Sequence, residues 1–281
     1  MNKVKIICDS LSDIPKELIE KYDIHIVPLS VIFDDKEYVD GVDITKEEFY
    51  RMLRESDKLP KTSQVTYMSF KNTFDKYINE GRTILYIGGS SEASGTYQSA
   101  IMAKNDIDET IYTFDSLNLS IGAGCIVIAA AKMAAKGESV DVILENLKGL
   151  KADISVLFTV DTLEYLQKGG RVSLAKATIG NMLNIKPILG IEDGGVKSIS
   201  QGRGKKQVVS KIIDLIKEQF GNDLTNKRVI IGYGDSETDF ELLYKKIKEE
   251  FKLEEVYTVN IGSCITAHSG PSILGIACSG K

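Results

Sequence analysis

The 281-residue chain has no tryptophan, only two histidines (His25 and His268), and four cysteines so scattered that no CxxC pair forms. So few histidines leave little basis for imidazole-rich zinc chemistry, and no metal site is expected. Cys8, Cys125, Cys264 and Cys278 make no disulfide framework and read as reduced, mostly buried thiols of a cytoplasmic protein. There are 35 basic against 40 acidic side chains, a net charge of −5, and no long basic block. That balance argues against duplex nucleic acid as a partner. An aspartate interrupts MNKVKIICDS too early for a secretion signal. The most apolar window, residues 121–135, is broken by Lys132 and falls short of a bilayer span, so it reads as a buried helix. What remains is an ordinary globular composition, 43% hydrophobic and 27% charged, in a chain long enough for two lobes.

Short β-rich runs alternate with amphipathic stretches through the first half. VKIIC (4–8), TILYI (83–87) and TIYTFD (110–115) read as strands, and so does IHIVPLSVIF (24–33), where Pro28 requires an edge or a bulge. Helical spacing is present over 15–22, 45–53, 68–81, from about Gly95, and over 119–136 and 140–151. Thr45 and Glu48 form a capping-box pattern. This alternation implies a mostly parallel sheet covered on both faces. After SVLFTV (155–160) the rhythm changes. Two short strands within 185–201 flank Asp193-Gly194, a hairpin signal, and helices (205–219, 237–251) alternate with strands (228–234, 256–262, 272–278). The expected architecture is α/β with two lobes: residues 1–153 as a mostly parallel sheet with flanking helices, and 154–281 as a second, mixed-sheet lobe. A cleft between two such units suits a small-molecule site.

Polar residues gather at the expected strand ends. In GGSSEASGTYQSA (88–100), two glycines turn the chain off a strand, and Ser94 or Gly95 opens a helix. Free N–H groups and hydroxyls there suit a carboxylate or phosphate, but the same residues also suit plain helix capping. Thr62 and Ser63 in KTSQ (61–64), between two expected helices, either cap the second or complete an anion pocket. Asp9 and Ser10 end the first strand on the same side of an open parallel sheet. Ser94 has Glu92 and Thr96, and Ser91 has Gly89 but Ala93, where a serine-hydrolase elbow needs glycines. GRGKK (202–206) lacks the spacing of a nucleotide-binding Walker loop. Arg171 and Arg203 are set beside glycines and either face solvent or reach a carboxylate or phosphate. His268, in AHSGP, reads as a turn residue between apolar runs, either a structural donor or, with Ser269 and Gly270, part of an anion-facing loop.

Taken in order, CDSLSD, PKTSQV, SSEASGTYQSA, FDS (114–116), YLQKGGR, IKPIL and AHSGP resemble the DegV family of bacterial fatty-acid-binding proteins, over residues 3–279. The resemblance implies a two-lobed α/β protein that buries one long-chain fatty acid with its carboxylate at the interlobe cleft. It also implies the acyl-carrying subunit of a two-component fatty acid kinase, whose separate ATP-using subunit forms acyl phosphate. The family's head-group threonine and serine map onto Thr62 and Ser94, with Gly95 beside them. Its GGR arginine corresponds to Arg171, supporting the carboxylate or the phosphoryl transfer, and its late histidine to His268. Arg203 matches a basic position that engages the kinase, while Asp9, Ser10 and Ser63 are supporting residues. Departures are CDS where the family reads TDS, Ala93 where it carries leucine, and HSGPS in place of HTGPG. They bear on chain length more than on the head group.

Burying about 14 methylenes is worth about 11 kcal/mol before ordering costs, at about 0.8 kcal/mol each. A desolvated carboxylate then needs several donors. The small and aliphatic residues over 119–135 are expected to surround the tail. The expected ligand is thus a long-chain fatty acid with no cofactor and no catalytic residue of the chain's own, the partner a separate kinase subunit, with transient peripheral membrane contact. Two alternatives are a lipid-sensing regulator and a stand-alone acyl- or phosphoryl-transfer enzyme using Ser94 or Cys8.

Overall fold

The computed structural model describes residues 3–107, 111–172 and 184–281. The chain begins β1 (Val4–Asp9), α1 (Lys16–Lys21), β2 (His25–Val27), β3 (Ser30–Phe33), β4 (Lys36–Val39), α2 (Lys46–Glu55), β5 (Lys61–Ser63) and α3 (Tyr67–Asn79). It continues β6 (Thr83–Gly88), α4 (Thr96–Asn105), β7 (Ile111–Asp115), α5 (Ser120–Ala135), α6 (Val140–Asp153), β8 (Ser155–Thr159) and α7 (Glu164–Lys168). The last stretch is β9 (Ile185–Glu192), β10 (Gly195–Arg203), α8 (Gly204–Phe220), β11 (Lys227–Tyr233), α9 (Glu237–Glu250), β12 (Val256–Asn260), α10 (Ser263–Ser269) and β13 (Leu274–Gly280).

These strands form three sheets. A parallel sheet has the order β2-β1-β6-β7. A six-stranded sheet has the order β10-β9-β8-β13-β11-β12 and is antiparallel except between β11 and β12. The third, β4-β3-β5, is antiparallel. The two-lobed α/β expectation holds, with the mixed sheet in the second half of the chain. Helix α5 lies between the lobes, touching β1 and β6 on one side and β8, β11 and β13 on the other. Of its 16 residues 13 are buried, as expected of a helix with no polar face.

Three local readings need correction. Residues 24–33 are not one strand: Pro28, which has no N–H to donate, separates β2 in the parallel sheet from β3 in the small one. The KTSQ segment is not a helix cap. It supplies β5, which pairs with β3 through Val31–Thr62, and the cap of α3 is Thr66, whose hydroxyl accepts from the Ser69 amide. His268 lies in the last turn of α10 rather than in a loop, and the turn itself begins at Gly270. The Thr45–Glu48 capping box is present at α2. All four cysteines are buried thiols, and no helix among the described residues is long and apolar enough to cross a membrane.

Candidate functional site

A cavity of about 790 Å3, counted out to its open mouth, lies between the start of α5 and the facing surface of the six-stranded sheet. It is slender, with little room between its walls. Such a space suits a flexible chain better than a ring system. One end is polar, with Thr62, Ser94, Arg171 and His268 on its wall beside Ala93 and Ser269. The rest is apolar, including Ile121, Val156, Phe158, Ile191, Val196 and Ile261.

The polar end is assembled from four distant parts of the chain. Thr62 is the central residue of β5, and its Oγ1 lies 2.8 Å from His268 Nε2. The two are brought together because α10 packs against β3 and β5. Ser94 sits in the turn between β6 and α4, accepting from the Thr96 amide at 3.2 Å and donating to Thr96 Oγ1 at 3.0 Å. Thr96 Oγ1 also accepts from the Val65 amide at 3.3 Å, so the Ser94 turn and the segment after Thr62 are tied through one hydroxyl. Arg171 follows α7, and donates from Nη1 to the Gly169 carbonyl (2.6 Å) and from Nε to the Ala93 carbonyl (3.4 Å).

His268 is held neutral. Burial, and next the positive charge of Arg171, lower its pKa from 6.5 to about 4. Its Nδ1 is buried without a hydrogen-bond partner among the described residues and faces Gly169. Any side chain at Gly169 would overlap that nitrogen, which accounts physically for a glycine in YLQKGGR. Gly270, at φ +78°, ends α10 and lies so close to Tyr165 that a β-carbon would fall 2.7 Å from its ring.

The other expected residues stand off the cavity wall. Asp9 is fully buried, and accepts from Tyr86 Oη (2.5 Å), the Gly89 amide (3.1 Å) and the Leu11 amide (3.0 Å). Burial raises its pKa against the lowering effect of those bonds. Its structural consequence is to fix the GGSS turn after β6. Ser10 Oγ accepts from the Leu29 amide at 3.0 Å. Ser63 alternates with Thr62 along β5 and so points to the opposite face. Gly95 begins α4 with its bare face against Gln64. Arg203 is exposed at the end of β10, where its amide donates to Gln207 Oε1 at 2.5 Å. Lys205, two residues further on, pairs with Asp161 (3.2 Å) and Asp239 (2.9 Å), so Arg203 occupies a braced corner.

The tail wall differs from expectation. Only Leu119, Ser120 and Ile121 come from the 119–135 stretch. The remainder of that helix is consumed by packing between the sheets, and strands β8 to β13 supply much of the apolar lining. Cys264 also lines the cavity, and burial pushes its thiol well above its ordinary range. That makes it a wall residue with no nucleophilic character. Across the lobes, Ser90 Oγ donates to the Gly194 carbonyl at 2.7 Å, docking the β9–β10 hairpin tip on the GGSS turn.

Residues 3–281 match the model of a family described as "Uncharacterised protein, DegV family". A DegV domain-containing protein of Caldanaerobacter subterraneus subsp. tengcongensis is 38% identical over 277 residues, 98% of each chain. Among solved structures, a DegV lipid binding protein from Thermotoga maritima superposes with a TM-score of 0.90 at 32% identity, covering 99% of this chain and 98% of that one. A stearic acid-binding protein from Eubacterium ventriosum superposes with a TM-score of 0.89 at 30% identity, covering 99% and 98%.

Proposed function

The chain belongs to the DegV family, and from that premise we propose that it binds one long-chain fatty acid and presents the carboxylate to a separate ATP-dependent kinase subunit. The observation that carries this reading is the slender apolar cavity ending in Thr62, Ser94, Arg171 and His268. The similar proteins described as binding lipid or stearic acid support the ligand class.

The chemistry follows from charge and hydrogen bonding. An alkyl chain in the apolar part supplies affinity at about 0.8 kcal/mol per buried methylene. A carboxylate leaving water requires compensation. With Nδ1 of His268 lacking a partner, the favoured tautomer keeps the proton on Nε2 and avoids a buried, unpaired N–H. Nε2 then donates to Thr62 Oγ1, which releases the threonine proton for the ligand. Ser94 is the second hydroxyl at the carboxylate once its O–H turns from Thr96 Oγ1 to the ligand, and Arg171 supplies the neutralising charge. Arg171 also balances charge as a phosphoryl group arrives, whereas Arg203 marks the docking face for the kinase.

Gentle organic extraction of the purified protein, followed by mass spectrometry, tests the ligand: one fatty acid per chain is expected. No extracted acyl chain, together with no binding of added palmitate or oleate, refutes the reading. Protein loaded with labelled fatty acid is then incubated with ATP-Mg, with and without a cognate kinase subunit. Acyl phosphate is expected only in the mixture. Its formation by this chain alone overturns the carrier assignment.

A further inference from the structure

The ladder between β8 and β9 of the six-stranded sheet stops early. β8 and β9 pair at only two positions, Phe158–Leu189 and Leu157–Gly190. The same register would place Val156 opposite Ile191, but the ladder does not extend to that pair. β8 remains paired to β13 as far as Ser155–Cys278, and β9 to β10 as far as Glu192–Gly195. The sheet therefore opens in a notch whose two posts are Val156 and Ile191. Both posts line the slender cavity on the α5 side. Both also line a second, open cavity of about 800 Å3 on the α8 side.

The outer space has a mixed character that indicates its occupant. Leu157, Ile199 and Leu215 provide apolar wall, while Glu192 and Glu218 are exposed acids at its border. Ile199 owes its place to an irregularity in the β9–β10 register between Ser198 and Ser200, and lies over the bare face of Gly190. Two carboxylates repel an anionic head group, whereas the apolar wall accepts methylenes. We propose that the notch is a rear opening of the acyl cavity, through which the terminal carbons of a long chain pass between β8 and β9 into the outer groove. This rests on the fatty-acid reading, and adds a subsite that lets chains longer than the inner cavity bind without folding back.

Two experiments on the delipidated full-length protein test it. In the first, a fatty acid longer than palmitate and carrying a photoreactive diazirine at its methyl end is bound and irradiated. Labelling is expected on peptides containing Ile199 or Leu215; labelling confined to inner residues such as Ile121 and Phe158 overturns the opening. In the second, Val156→Cys and Ile191→Cys are combined so that oxidation staples the posts together. Because both positions line the inner cavity, the reduced variant rather than the parent is the reference for myristate and behenate binding. The oxidised protein should keep myristate and weaken behenate by about tenfold or more, with recovery on reduction. Unchanged behenate binding in a verified stapled protein refutes the proposal. Failure of myristate, palmitate and behenate alike to bind the unaltered protein refutes instead the fatty-acid reading on which it stands.

Discussion

The protonation of His268 gives direct access to the polar end of the cavity, because the chain has only one other histidine. Burial and the Arg171 charge place its pKa at about 4, against 6.5 for the ordinary imidazole. Between those values the unfolded chain binds a proton that the folded chain does not, so stability rises with pH. The contribution of this group is fully present above about pH 6.5 and is lost as pH falls toward 4. A displacement of about 2.5 pH units corresponds to about 3.5 kcal/mol at most, at about 1.4 kcal/mol per unit. Denaturant unfolding of the delipidated protein between pH 6.5 and 4.5 should therefore show a steeper loss of stability in the wild type than in His268→Gln. The buried carboxyls of Asp9 and Asp13 titrate in both proteins and cancel in the comparison. NMR gives the site-specific value: two imidazole signals, separated by a His25→Gln variant, with His268 titrating well below 6.5. Adding fatty acid should move the His268 value upward, since a carboxylate beside it favours the charged ring. A value near 6.5 in the ligand-free protein, or the same pH slope in His268→Gln as in the wild type, would refute the argument.

Other perturbations separate the parts of the site. Thr62→Ala combined with Ser94→Ala should weaken fatty-acid binding by about 1.5–3 kcal/mol per lost bond to the charged ligand, measured by calorimetry beside a thermal melt. Loss of the Ser94 bonds to Thr96 should cost about 1 kcal/mol of stability in the same melt. Gly169→Ala drives a methyl into His268 Nδ1 and should weaken ligand binding while Thr62 is intact; unchanged affinity would remove the imidazole from the head-group site. Arg203→Ala should reduce kinase-coupled turnover and leave fatty-acid affinity unchanged, since Arg203 lies off the cavity wall.

How far the sequence could be read depended on how local each determinant is. The Thr45–Glu48 capping box and the Asp193-Gly194 hairpin announce themselves within a few residues, and both are present. The pairing of β3 with β5 joins residues 30–32 to 61–63, and three residues of KTS carry too little β preference to announce a strand. Without that pairing, Thr62 reads as a cap. His268 was obscured by the following Ser-Gly-Pro, whose turn signal masks the short helix before it. The tail wall was the least legible. A helix as uniformly apolar as α5 has no periodic face to indicate what it touches, and the face that β8, β11 and β13 offer depends on strand order.

Helix α5 also limits how this architecture can be divided. It is apolar around its whole circumference, and each sheet covers a different part of it. Expressed alone, the first half of the chain would retain the helix but expose the surface otherwise hidden by the six-stranded sheet. The second half alone would have a bare sheet face where the helix belongs. Neither piece is a module that could be transplanted, inherited separately or swapped between relatives without new apolar contacts. The sequence that lies between two sheets thus makes the pair a single inheritable unit, and ties the evolution of each lobe to that of the other.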